Sequence, residues 1–582
     1  MHPSRFGMRA VAIALLAAGP PRALADDPAI IGAAPATYTG RVGRIFQEHC
    51  LSCHRVGSSA ARIPLVTYED ARALGATLLS PVESGAMPPW PIDAEHSMPM
   101  QNDPRLSPAE LQALRAWVAA GEPRGTGPEP ASAASAQGWN DPQHRLPDAV
   151  VVSPRIAIPA RGELPYMRAL IKVVTPADRW IGGLQAIPGN AAVVHHMGIA
   201  EVQLPPGVGP AQVHDLEETA QKLGTPARSL VDIEPAVIDT RLSNDYDMLA
   251  AFTPGEGYEA FPPGTGKLLR AGPTFYINFN IHYTTIGEAT SDQSRLGLWF
   301  LRSKPERQLF RTPSAGRTIV ADGHELFPDD PGSKAEGTDV AIPPVPPYAN
   351  AFELTGITPY DRAVTLYSLQ PHAHLRGKDF LYQLVLPDGR WQTLLSIPHY
   401  NYHWQLSYAF ATPVEAPAGS KLVVTAHYDN SASNQHIREF SLINPQARCG
   451  PDKYAFFRSQ NQTWDEMFSP IVQYAVRTGR AGGQPVPTVA TQGCLVSGRD
   501  GKWTLGTASP AQDTSSPTIS RVELAHATAT RIGRNAYTLI GSEPFHPTSL
   551  EGRRVLIKGM QRPGDRSRIN VTAMQPLGDL CE

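Results

Sequence analysis

"TFYINFNIHYTTI", Thr274 to Ile286, is a run of aromatic and β-branched residues in short alternation, with no helical period. Such a run reads as a strand. Similar stretches follow it: "RLGLWFLR" from Arg295, "FLYQLVLP" from Phe380 and "KLVVTAHYD" from Lys421, each bounded by Pro, Gly or Asp. Short alternating strands punctuated in this way predict β-sandwich architecture. Proline, at 57 residues of 582, is about twice its usual share. It breaks helices and cannot donate to a ladder, so loops and short strands are expected. A chain of this length predicts about three to five domains. We expect two β-sandwich (jelly-roll-like) domains, 147–310 and 311–487, at its centre.

The opening stretch carries His282, and other histidines lie in similar text. "HAH" places His372 and His374 two apart, which on a strand sends both imidazoles to one face, where one metal ion could take both. His195 and His196 are adjacent, which normally sends them to opposite faces. They can share an ion only where a strand twists or ends, and His282 could then add a third imidazole. The alternative for each is a solvated or core-satisfied histidine. His399, His403, His427 and His436 are read in that structural sense, and Met197 as packing.

Upstream the text differs. "CLSCH", Cys50 to His54, has the spacing at which two thiols reach the two vinyl groups of one porphyrin and the next histidine sits under the iron. "YTGRVGRIFQEHC" leads into it with helical apolar spacing. "SPAELQALRAWVAAGEP" is a capped closing helix, with Ser107 at the N-cap, Pro108 next, Glu110 at the third position and Gly121 as terminator. Residues 36–125 thus resemble a small α-helical class I cytochrome c domain, holding one covalent haem c through Cys50, Cys53 and His54. Met87 in "SGAMPPWP" is the expected sixth ligand, presented by a loop that Pro88 and Pro89 stiffen. Met98 and Met100 are rivals. His49 is expected to be structural.

Residues 1–25 read as a secretory signal: Arg5 and Arg9, a short apolar run Ala10 to Gly19, and a small-residue cleavage site at Ala23 to Ala25. That run is too short to span a bilayer, so no membrane span is expected, and a periplasmic or secreted location suits covalent haem. Residues 126–146, rich in Gly, Pro, Ala and Ser, are expected to form a flexible linker. Residues 488–582 read as a small OB-like β domain. Its Arg553, Arg554, Lys558, Arg562, Arg566 and Arg568 are read as solvated surface. Of five cysteines, Cys449, Cys494 and Cys581 remain outside the haem motif. Cys494 and Cys581 bracket the last domain and are the preferred disulfide pair, although sequence alone leaves connectivity open. A net charge of -3 offers no basic surface for nucleic acid.

The order "HHM", "NIHY", "HAHLRGK", "TWDEM" over residues 147–485 resembles the copper type II, ascorbate-dependent monooxygenases, which include peptidylglycine α-hydroxylating monooxygenase and dopamine β-hydroxylase. Phrases such as "MPPW", "NYHWQLSY" and "AHYDNSASN" resemble the bacterial members that carry a cytochrome c domain. The resemblance implies two coppers. His195, His196 and His282 would hold the electron-transfer copper; His372, His374 and Met467 would hold the catalytic copper at which oxygen reacts. A soft thioether beside two imidazoles favours Cu(I). The implied activity is hydroxylation of a C–H bond of a small-molecule substrate with O2. The electrons come from a small reductant or a periplasmic redox protein, through the haem, and reach the three-histidine copper first. The alternative is a non-catalytic haem and copper electron-transfer or copper-binding protein. In the peptide-amidating enzymes an arginine two positions before the "HAH" pair grips a substrate carboxylate. Here that position is Gln370, so a glycine-extended peptide is not the expected substrate.

Overall fold

The computed structural model describes residues 36–581 apart from 56–59, 61–62, 130–137, 163, 165–166, 173–174, 204–246, 253–256, 273–274, 314–317, 328–329, 331–334, 337–338, 341, 444–448, 456–462, 479–483, 499–500, 530–532 and 562–563. The signal segment expected at 1–25 lies outside these residues. Strands dominate, and no described helix is long and apolar enough to cross a membrane.

The haem-motif region is helical. Segments Tyr38–Val42 and Gly43–His49 run into "CLSCH", and Pro108–Ala119 closes the bundle. The closing helix starts with a capping box: the Ser107 side chain accepts from Glu110 N, and the Glu110 carboxylate accepts from Ser107 N. Gly121, at φ +78°, sits just past its end, where only glycine turns left without strain. Trp117 and Phe46 fill the core, ring centroids 6.0 Å apart. His49 ties the two helices, its ring nitrogens lying 2.8 Å from Pro104 O and 3.2 Å from Glu110 Oε1.

One nine-stranded sheet runs through both central domains. Its N-terminal half carries Arg179–Ile187 and Arg295–Phe300, and its C-terminal half carries Val364–Gln370, Tyr408–Ala416 and Ile471–Arg477. Strand Arg307–Pro313 joins the halves by pairing antiparallel with Ile471–Arg477, so the boundary drawn at 310/311 falls inside a shared strand. A four-stranded sheet, which includes Val194–Gln203 and Phe275–Tyr283, packs on the first half over a core of Ile199, Phe279, Ile281 and Leu296. A six-stranded sheet packs on the second half over Phe380, Tyr382, Leu422 and Val424. The two sandwiches are therefore one continuous body, because the strands that would end each domain pair with each other.

In the last domain, Thr488–Ser497 pairs with both Trp503–Ala508 and Arg553–Gln561, and Asn535–Ile540 and Arg568–Leu580 complete a closed ring. A Cys494–Cys581 disulfide staples its first strand to its end. The basic residues there are not all surface. Lys558 is fully buried, its ammonium 2.6 Å from Glu523 Oε1, because its strand faces the helix Arg521–Ala529. Arg554 donates to Gln492 Oε1 and Ala527 O. Arg562 lies outside the described residues.

The domain with the haem motif is strapped to the C-terminal sandwich rather than hung on a tether. Between the haem motif and the closing helix, residues 90–102 run along that sandwich. Asp93 N donates to Ser396 O, Met98 N to Leu394 O and Gln101 N to Ala409 O, and Ala411 N donates back to Pro99 O, all at 2.8–3.0 Å. Trp90 is buried in the sandwich core against Tyr408, centroids 4.7 Å apart. Met98 and Met100 pack against the same core. The expected linker is also anchored where it is described. Trp139 packs on Trp299, and Asn140 N donates to Gln185 Oε1. Its composition suggested a free coil, but its aromatic and amide groups find partners on the first sandwich.

Candidate metal centres

Strand Val194–Gln203 pairs with Phe275–Tyr283, and the register slips between Val194 and His196. This bulge turns His195 out of strict alternation and lets adjacent histidines share one side, as a strand bulge re-aims a side chain. His196 lies directly opposite His282 across the ladder. The three rings stand 5.0–5.2 Å apart by centroid, and one ligand nitrogen from each lies within 4.8 Å of the others. His195 Nδ1 and His196 Nδ1 are 3.2 Å apart, close to the roughly 3–3.5 Å expected of two nitrogens on one ion.

The "HAH" pair is not on a strand. Val364–Gln370 ends before it, and residues 371–374 form an extended loop. The two imidazoles are aimed by hydrogen bonds instead of by alternation. His372 Nδ1–H donates to Gln405 Oε1 at 2.7 Å, and the Gln405 amide is itself oriented by donating to Tyr402 O. His374 Nδ1–H donates to Asp465 O at 3.0 Å. Both rings therefore present Nε2, the arrangement metal-binding histidines use. His372 Nε2 sits 3.2 Å from Met467 Sδ. Burial pushes His195 and His372 down to about 4, and His196 and His282 well below their ordinary value, so all four stay neutral ligands near neutral pH.

The segment Thr463–Met467 stitches the centre together. The Thr463 hydroxyl lies 3.0 Å from His282 Nε2, so it spans from the second sandwich to the first. The Glu466 carboxylate accepts from His374 N (2.5 Å), Arg376 N (2.9 Å) and Met467 N (3.0 Å). Burial raises it to about 7 against the pull of Arg376. The fully buried Arg376 donates to Asn430 Oδ1, Trp464 O and Cys449 O. Sequence reasoning missed Glu466, Arg376, Gln405 and Thr463. All four lie inside quoted stretches. The charge of the first two was the available signal, and nothing local marks the other two.

The two trios are neighbours. The His196 and His372 rings stand 5.5 Å apart by centroid, so the six expected copper ligands form one cluster in the cleft between the sandwiches. Gln370 is buried and donates to Gln405 O, which commits its amide to the loop. His427 bonds Asp379 at 2.7 Å and lies 3.7 Å from Glu353, a structural role.

At the haem motif, Cys53 N and His54 N both donate to Cys50 O in a tight turn. His54 Nδ1–H donates to Ile63 O at 2.8 Å, which leaves Nε2 for an iron. Cys50 and Cys53 are not disulfide-bonded, and both are part-exposed. These residues fit a covalent haem. Met87 occupies the loop before Pro88, its N–H donating to Pro81 O. The imidazole and thioether sets between the sandwiches likewise fit copper: donors of these two kinds converge, with the His372 and His374 tautomers already set.

Comparison with known families agrees with both readings. Residues 41–122 match the model "Cytochrome c", and residues 338–439 match "Copper type II ascorbate-dependent monooxygenase, C-terminal domain". A comparison with curated proteins finds no match. Among solved structures, one titled "Structure of infectious bursal disease virus Gx strain" aligns at 8% identity and a TM-score of 0.16, over 59% of this chain and 75% of that one, a likeness too low to bear on fold. The chain thus carries one segment similar to cytochrome c and, further along, one similar to the C-terminal domain of the copper type II ascorbate-dependent monooxygenases.

Proposed function

We propose that this protein is a copper-dependent monooxygenase that hydroxylates a C–H bond of a small-molecule substrate with O2, drawing electrons through its covalent haem. The observation that carries the reading is the convergence of His372 Nε2 and Met467 Sδ at 3.2 Å beside His374, at a ring that is only half-buried. The thioether itself is buried, and the accessible edge is that of the His372 ring. Copper held by His372, His374 and Met467 would supply oxygen activation, copper held by His195, His196 and His282 would supply an electron, and haem c at Cys50, Cys53, His54 and Met87 would relay electrons.

The chain's own groups do the positioning. Gln405 and Asp465 O hold the imidazole tautomers, Glu466 locks the two ligand-bearing segments together, and Thr463 fixes the His282 side to the same segment. With Gln370 committed to Gln405 O, the site lacks a cation at that position for a substrate carboxylate, which argues for a substrate other than a glycine-extended peptide. The contacts also favour a route for electrons different from the one the motifs suggested. Trp90, three residues beyond Met87, touches Tyr408, and Tyr408 follows Gln405, the partner of His372, by three residues. Entry on the His372 side is therefore the reading we adopt, with the touching His196 and His372 rings leaving a short passage to the other trio.

The test is metal analysis of the purified chain, followed by oxygen uptake. One haem iron per chain is expected, and two coppers at the ligands His195, His196, His282, His372, His374 and Met467. Changing His372 and His374 to alanine should abolish substrate-dependent oxygen uptake while the haem spectrum stays normal. Zinc retained in place of copper at these six ligands after copper loading would refute the oxygenase reading.

A further inference from the structure

Outside the cleft cluster, one more group of metal-binding side chains comes together: His403, His436 and Glu439, with one ligand atom from each within 4.8 Å of the others. His403 belongs to the ordered loop between Ile397 and Tyr408, where its N–H donates to Asn401 Oδ1. His436 and Glu439 are three apart on the helix Gln435–Ile443, so they share a face. The helix start is pinned. Asn434 Oδ1 accepts from His436 N and Ile437 N, and the Asn434 amide donates to Leu375 O, next to His374. Ile437 and Phe440, on the adjoining flank of the helix, pack against Leu375. Both imidazoles are therefore carried by fixed backbone, with centroids 5.7 Å apart and Tyr402 packed on each.

We propose that His403, His436 and Glu439 form a third metal site, distinct from the six-ligand cluster, which takes a divalent first-row ion such as Cu(II) or Zn(II). Two imidazoles and one carboxylate suit these ions, and with no sulfur donor the site does not favour Cu(I), unlike the one at Met467. Bond lengths near 2.0–2.2 Å would bring the ligand atoms to about 3–3.5 Å, a closure of roughly 1 Å that side-chain rotation supplies. Two further observations point to an ion. His436 Nδ1 is shielded from solvent, yet among the described residues it has no hydrogen-bond partner. Burial also holds both imidazoles below their ordinary value, and so neutral, while Glu439 keeps one oxygen on Gln435 Nε2 and has the other to give. An ion here would clamp the loop that carries Gln405, and through it His372, to the helix anchored at Leu375.

The site is tested on the full haem-loaded chain by equilibrium dialysis against Cu(II) alone and, separately, Zn(II) alone, comparing wild type with His436→Ala and Glu439→Gln. Wild type should retain one more ion per chain than His436→Ala, whatever the cleft cluster binds. Glu439→Gln should weaken that ion at least 10-fold. Ascorbate reduction of the copper-loaded wild type should release it and leave the copper held by Met467. Glu439 is exposed, so its variant will fold and decides the matter if His436→Ala does not. Equal retention of both ions by wild type and Glu439→Gln would overturn the proposal, and so would a third copper that resists reduction.

Discussion

Replacing Glu466 with alanine should destabilise the C-terminal sandwich by about 3–5 kcal/mol, the cost of leaving several buried N–H groups without their acceptor. The structure supports the size of that figure. Glu466 and Arg376 are both fully buried, and the carboxylate accepts from His374 N, Arg376 N and Met467 N. Each buried N–H left without an acceptor costs about 1–3 kcal/mol, and the His374 and Arg376 amides come from a distant segment that cannot follow the truncation. For a unit of this size, a loss of 3–5 kcal/mol lowers the melting temperature by about 6–20 °C. Circular dichroism melts report it, with the haem absorbance as an internal control on the cytochrome domain. Glu466→Gln keeps one acceptor oxygen and should fall between the two. Copper affinity at His372, His374 and Met467 should drop about 10–100-fold in the alanine variant, because the backbone that aims those ligands loses its anchor. An alanine variant that melts within about 2 °C of wild type, or a glutamine variant that is worse than alanine, would refute the clamp.

Two other outcomes follow from contacts on the page. Trp90→Ala should cost about 3–5 kcal/mol at the strap and expose residues 93–102 to limited proteolysis, with slower reoxidation of ferrous haem by the copper-loaded chain; unchanged cleavage and rate would mean that the strap is not the coupling element. His427 is raised to about 9 by its bond to Asp379 and by Glu353. A raised histidine contributes stability that is complete below about pH 6.5 and is lost as pH climbs through about 9. The melting difference between wild type and His427→Gln should therefore be largest at pH 6 and vanish by pH 10, whereas a difference that grows with pH would reverse the assigned sign.

The residues of "CLSCH", the capped helix at Ser107 and the alternating strands were legible in sequence because each depends on local spacing. A thiol pair two residues apart, a side-chain cap three residues from its target and a period of two all act within one turn or one strand. The list of six copper ligands came from the family resemblance that the order of four motifs carries, since no single histidine announces a metal. What the tertiary structure decided is of another kind. The bulge at His195 exists only because the partner strand Phe275–Tyr283 sets the register. The aim of His372 and His374 comes from Gln405 and Asp465, dozens of residues away, and not from the strand alternation that their spacing suggested. The strap at residues 90–102 looked like loop because its hydrogen-bonding partners lie about 300 positions further along the chain. Pairing across such distances leaves no local pattern. It follows from which buried surfaces and unsatisfied backbone groups meet once the sheets have closed, and only the folded chain brings them together.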